Sequence, residues 1–238
     1  MDAMMGWMVA LLLLAAEGVG AMGAWESAQR GYDTGAMEAL AGELRTKCAG
    51  TEATEGERAA LAAALLSLAE WSRIDYEECA KEARAQRQAL GERIDALSRE
   101  GLELMRGMRE DSEWWRMRAD FHGVMMRTTA QARKYKAEVE EAIARATELD
   151  PANPNAWTTA AKPHLFAEPG QGQDLPRAIL LLNKALELSP KLESARLLRA
   201  LAYERMGETA TARREWEAVL AENSACAPAK RQLEKPVE

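Results

Sequence analysis

The chain has 238 residues, a formal net charge of −7 and only 5% aromatic residues. No Lys/Arg-rich stripe offsets the acidic balance, which argues against a nucleic-acid partner. Ala, Leu, Glu and Arg dominate, a mixture that favours helix throughout, and the length allows one or two compact domains or one elongated array.

Residues 1–24 read MDAMMGWMVALLLLAAEGVGAMGA. The apolar run from Trp7 to Ala16 has the length of a secretory signal core and is too short to cross a bilayer. Val19 with Ala21, or Ala21 with Gly23, supplies small residues for cleavage. Asp2 departs from the expected basic start, and the first basic residue is Arg30. Residues 1–23 are therefore expected to be a bacterial signal peptide, leaving a periplasmic or secreted chain without a stable membrane span. A cytoplasmic chain is the alternative if the segment is not a signal. No Cys directly follows the run, so the lipoprotein route has no anchor.

Residues 25–48 read as one helix or a broken pair, with a turn favoured by Gly31, Asp33 and Gly35. Met37, Leu40, Ala41 and Leu44 then form one apolar face. Residues 49–56 are a polar loop. Residues 57–73 carry Leu61, Ala64, Leu65, Leu68 and Trp71 at helical spacing. Residues 76–108 read as one long helix or two meeting near Gly91. Their apolar stripe is Ile94, Leu97, Gly101, Leu104 and Met105. Residues 111–127 are a further helix, with Ser112 as the expected N-cap and Trp115 in place of the capping-box Glu. Extra length is expected near 128–135. Trp114 and Trp115 are adjacent, so one faces the core and the other is a candidate contact anchor or packs under that extra length.

From here the chain repeats itself. EEAIARATELDP (140–151) returns as AILLLNKALELSP (178–190) and again as ARREWEAVLAENS (212–224). Pro151 and Pro190 stand 39 residues apart, and Pro190 and Ser224 stand 34 apart. A period of about 34 residues in helical sequence is the spacing of tetratricopeptide arrays. The long first interval reflects an insertion in FAEPGQGQDLP (166–176), where Gly170 and Gly172 permit turns. Ala195, Ala200, Tyr203, Gly207, Ala212, Trp216 and Leu220 mark one repeat. Trp157, Ala161, His164, Ala178, Leu182, Ala185 and Pro190 mark the one before. Val139, Ile143, Ala146 and Pro151 end the one before that, and Trp115, Ala119 and His122 open it. On these residues the chain resembles the tetratricopeptide repeat (TPR) family. Val219, Ser224 and Arg199 depart from the family pattern. Pro228 opens a short terminal helix.

The resemblance implies an all-α, TPR-like solenoid of about four helix pairs, with an extra N-terminal helix and a C-terminal capping helix. Residues 24–110 would hold the N-terminal helices and a divergent first repeat, and 111–238 the clearer repeats with the cap. It also implies a non-enzymatic scaffold that binds a protein or peptide along a groove lined by the first helix of each pair. The matching positions, expected to be exposed, are Glu113, Arg116 and Asp120; Asn155, Thr158 and Lys162; and Ser194, Leu197, Leu201, Glu204 and Arg205. Arg116, Asp120, Asn155, Thr158, Lys162, Glu204 and Arg205 are the groove candidates. Lys162 is expected on the side of its helix away from Trp157 and Ala161, and the oversized turns at 128–135, before the preceding helix, and at 166–176, after its own, point to function there. Pro163 after it is expected to kink the helix.

Other chemistries find little to work with. His122 and His164 stand where the family carries Tyr, and no metal-ligand cluster surrounds either. Gly-rich phosphate loops, GxSxG and HExxH are absent from the sequence. No cofactor or metal is expected. A Cys48–Cys79 bond would have to close across a helix roughly 25 Å long, so unpaired Cys48, Cys79 and Cys226 are expected. An alternative reading is a periplasmic small-molecule-binding or transport-associated helical protein. It would need a pocket under 166–176, lined by Trp157, Leu165 and Phe166.

Overall fold

The computed structural model describes residues 27–50 and 53–235. The apolar segment at 1–23 and its cleavage pairs lie outside them. Among the described residues every regular element is helical and there is no strand, so the all-α expectation holds. The elements are α1 (Thr34–Cys48), α2 (Glu55–Glu78), α3 (Arg84–Leu104), α4 (Ser112–Met125) and α5 (Thr129–Leu149). They continue as α6 (Pro154–Phe166), α7 (Leu175–Leu188), α8 (Glu193–Arg205), α9 (Thr209–Glu222) and α10 (Ala227–Glu234). The chain divides into two compact units, Met1–Ala142 and Ile143–Glu238, with the division inside α5.

In the first unit α2 is the centre. All its residues from Leu61 to Ala69 are buried, because α1, α3 and α4 each pack against it. A helix that is apolar on every side is stable only when surrounded in this way. It begins at Glu55, two residues earlier than the apolar spacing indicates. The Thr54 hydroxyl accepts from the Glu57 N–H, and the Glu57 carboxylate accepts from the Thr54 N–H. This capping box satisfies two orphan donors at once. α1 is capped by Asp33, whose carboxylate accepts from the Ala36 N–H at 2.9 Å, after a turn with Tyr32 at φ 51°. Met37, Leu40, Ala41 and Leu44 form its buried face, as the spacing indicates.

Polar contacts fix directions. Glu38 meets Arg93 and Arg45 meets Glu100, each at 2.6 Å. The same offset at both points means that α1 and α3 run the same way. α2 and α4 also run the same way. Glu55 accepts from the Arg109 N–H near their starts, and Arg73 donates to the Val124 and Met126 carbonyls near their ends.

Three local expectations are corrected. The break in 76–108 falls at residues 79–83, and α3 passes through Gly91 without interruption. Arg87 closes the end of α2 by donating to the Tyr76 and Cys79 carbonyls, both at 2.8 Å, with its guanidinium over the Tyr76 ring. Gly91 instead faces the Arg127 guanidinium, which pairs with Asp95 at 2.8 Å. The N-cap of α4 is Asp111, not Ser112, because the Asp carboxylate accepts from both the Glu113 and Trp114 N–H groups. The extra length at 128–135 is helix rather than loop, since α5 starts at Thr129.

In the second unit the sequence period reappears in the backbone. The Asn153, Leu192 and Cys226 N–H groups donate to the Asp150, Ser189 and Asn223 carbonyls, so one closing turn recurs at spacings of 39 and 34 residues. Four residues before each turn stand Ala146, Ala185 and Val219, all buried. α8 packs on both α6 and α7, and α9 packs on α8. α6 opens with Asn153 accepting from the Asn155 and Ala156 N–H groups, and α7 with Asp174 accepting from the Arg177 N–H. α6 continues past Pro163 to Phe166. Arg199, where an apolar residue is usual, donates to Asn183 of α7 at 2.8 Å and to Glu215 of α9 at 2.7 Å. Ala229 of α10 and its N-cap residue Cys226 are buried, with Pro228 in the first turn.

The glycines of α1 and α3 should respond in opposite senses to alanine. A Cβ at Gly101 would stand 2.1 Å from the Phe121 ring, which is fully buried and has nowhere to swing. Gly101→Ala should cost about 1–3 kcal/mol despite its better helix propensity. Gly42 is exposed with nothing within 4 Å, so Gly42→Ala should gain about 0.4–1 kcal/mol. Urea midpoints of the two variants check both signs. Ala185→Leu, at a site with 0% exposure, should lose about 1–3 kcal/mol in the same assay.

Candidate functional site

The candidate side chains lie on α4 in the first unit and on α6 and α8 in the second. In the first unit α4 presents Glu113, Arg116 and Asp120 at helical spacing. The spacing predicts exposed side chains; the structure overturns this. The Asp120 side chain is 1% exposed, Glu113 8% and Arg116 13%. Arg116 Nε donates to Glu113 and Nη1 to Asp120, each at 2.6 Å. Burial works against the Arg116 charge, but Glu113, Asp120 and Glu70 of α2 outweigh it and hold the guanidinium above its ordinary range. The three residues form a buried ionic group, so Arg116 and Asp120 first satisfy each other.

Trp114 and Trp115 meet edge to face at 4.9 Å. Trp115 is buried. Trp114 is half-buried, and its Nε1 donates to the Met105 carbonyl at 2.9 Å, so it packs toward the end of α3 and not under 128–135. The Arg118 guanidinium lies over both rings. Trp114 is thus a seated side chain rather than an open anchor.

In the second unit α6 carries Asn155, Thr158 and Lys162. Thr158 is buried, again against the expectation of exposure, and its hydroxyl donates to the Pro154 carbonyl at 2.9 Å. That bond returns a polar group to its own helix, the usual fate of a mid-helix Thr. Asn155 and Lys162 are half-buried. On α8, Glu204 is half-buried with Lys235 at 3.9 Å, and Arg205 is exposed. Arg205 donates to the Leu165 carbonyl at the end of α6, and its guanidinium lies 5.2 Å from the Phe166 ring centroid. Ser194 is exposed, and Leu197 and Leu201 are half-buried. Asn155, Lys162, Glu204 and Arg205 therefore keep surface, whereas Asp120 and Thr158 do not.

The residues named for a small-molecule pocket all lie on α6 and differ in exposure. Trp157 donates from Nε1 to the Pro151 carbonyl at 2.8 Å. Leu165 is sealed in the core, and Phe166 is 48% exposed beneath Arg205. Cys48 and Cys79 are half-buried free thiols and Cys226 is buried, and burial raises the Cys48 pKa. Among the described residues no group of three or more His, Cys, Asp or Glu could hold a metal ion. Also among them, no helix is long and apolar enough to cross a membrane.

Removing one member of the buried ionic group should expose its cost. Arg116→Leu leaves Glu113 and Asp120 buried against each other. It should destabilise the first unit by about 3–5 kcal/mol, well beyond the ≤ ~1 kcal/mol of an exposed pair. Thermal unfolding of this variant beside Lys191→Leu, which removes only the exposed Lys191–Glu222 pair, makes the comparison. No protein-family model matches the chain, and no curated protein matches it.

Proposed function

We propose that the chain is a non-enzymatic tetratricopeptide-type scaffold that binds a protein or peptide in the bacterial cell envelope. The supporting observation is the closing turn that recurs at Asp150, Ser189 and Asn223 with a buried residue, Ala146, Ala185 or Val219, four positions before it. Stacked helix pairs of this kind gain their core from their neighbours and leave one helix face of each pair for partners. On this reading the partner contacts Asn155, Lys162, Glu204 and Arg205, the candidates that retain surface. Their signs are mixed, which suits a polar peptide or protein surface over a ligand of one charge. The apolar run at 7–16 and the small-residue pairs after it support the envelope as the compartment.

The test is a binding comparison. The mature chain, used as bait in its native host, supplies the partner, and affinities are then measured with purified components. Lys162→Glu should weaken binding by about tenfold, roughly 1.4 kcal/mol. Lys191→Glu, at an exposed turn position between α7 and α8, should leave affinity unchanged. Unfolding midpoints of both variants separate lost contact from lost fold. A folded Lys162→Glu that binds as wild type does would remove the face assignment.

A further inference from the structure

The side chains joining α4 to the start of α5 include a titratable pair that the scaffold reading does not use. His122 of α4 and Tyr135 of α5 stack with ring centroids 5.2 Å apart and an interplanar angle of 11°. The Lys134 ammonium lies 4.7 Å from the same Tyr135 ring. His122 Nδ1 is fully buried and has no hydrogen-bond partner. Glu138 Oε2, one turn along α5 from Lys134, is also buried without one. Buried polar atoms left unsatisfied are uncommon and costly. Two of them at one helix junction mark a place where a proton changes the balance.

We propose that the His122–Tyr135 stack is a proton-sensitive latch, which holds the first turns of α5 against α4 and releases them on acidification. The neutral imidazole stacks flat on Tyr135. A proton added to the ring would create a cation where Nδ1 has no acceptor. Burial and Arg118, one turn before His122, push the His122 pKa below its ordinary value; Glu138 opposes them and Lys134 adds to them. On the other helices against α4, three charged groups have other partners. Glu70 of α2 acts on Arg116, Arg73 of α2 donates to the Val124 and Met126 carbonyls, and Asp95 of α3 takes Arg127. None of these is among the groups that shift His122.

The sign follows from linkage. A histidine whose folded pKa lies below its unfolded value of about 6.5 binds protons more readily once released. Its stabilising contribution is fully present above about pH 6.5 and is lost as the pH falls through the window beneath it. The chain has two histidines, and His164 lies in the second unit. His122 is therefore the histidine whose titration the first unit would report.

The experiment is amide hydrogen exchange of residues 129–138 in the full chain at about pH 7 and about pH 5, corrected for intrinsic rates. Wild type should lose protection there at the lower pH, and His122→Phe, which keeps a ring to stack but takes no proton, should not. Unchanged protection in wild type, or an equal loss in His122→Phe, overturns the latch. If His122→Phe fails to fold, an imidazole NMR titration of wild type decides. A His122 midpoint below the ordinary histidine value that coincides with the protection loss supports the latch. A midpoint at or above that value, or one that does not coincide with the loss, overturns it.

Discussion

Close approach at alanine governs this chain. Ala41, Ala62, Ala64, Ala69, Ala161, Ala178, Ala185, Ala195, Ala200 and Ala202 are all fully buried in packed helices. Alanine has no side-chain entropy to lose and is the best helix former, so a helix rich in it is locally stable. Each alanine also hides little apolar area, so no one contact contributes much. Cohesion must come from many short contacts spread along adjacent helices, with Leu182, Leu65 and Phe121 filling the gaps. Such an interface has little spare volume. The contact that a Cβ at Gly101 would make with Phe121 is the same constraint in its sharpest form.

Two arginines, Arg116 and Arg199, are paired inside this tight packing, and their groups are built differently. Arg116 finds Glu113 and Asp120 on its own helix. Arg199 finds Asn183 on α7 and Glu215 on α9, and Glu215 also takes Arg196 at 3.3 Å. The first arrangement neutralises charge on one helix and says little about its neighbours. The second spans three helices, and its geometry fails if α8 slips along either partner. Arg199 thus exchanges apolar area for register, the best-attested use of buried ionic groups.

The sequence made much of this fold legible, because apolar spacing and small residues leave local traces. Met37, Leu40, Ala41 and Leu44 announced the buried face of α1, and the spacing of Pro151, Pro190 and Ser224 announced the closing turns. What stayed illegible depended on long-range partners. Gly91 resembles a break until Arg127 is seen beside it. Residues 128–135 lack a strong apolar stripe, yet Tyr135 is held by His122 from another helix. Asp111 and Ser112 are both good caps by type, and the choice rests on which oxygen reaches the Glu113 and Trp114 N–H groups. The Thr54–Glu57 capping box was a sequence signal of the standard form, and apolar spacing alone passed over it. The candidate face suffered most. Glu113, Asp120 and Thr158 are polar residues at face positions, but their burial is a property of the packed helices and has no local signature.

The same dependence explains why a latch can work at one end of α5 alone. Toward its C-terminal half α5 buries Val139, Ala142 and Ala146, and it ends at the Asp150 turn. Its first turns carry exposed Arg133, Lys134, Lys136 and Ala137, with Tyr135 half-buried. Opening free energy scales with the buried contacts that must be given up, so these first turns form the low-stability end of the helix. Here the imidazole of His122 stacks on the half-buried Tyr135. A proton at a site ringed by buried alanine and leucine would have to break a whole packed face to be felt. At His122 it has one ring stack to undo, and the rest of α5 keeps its register.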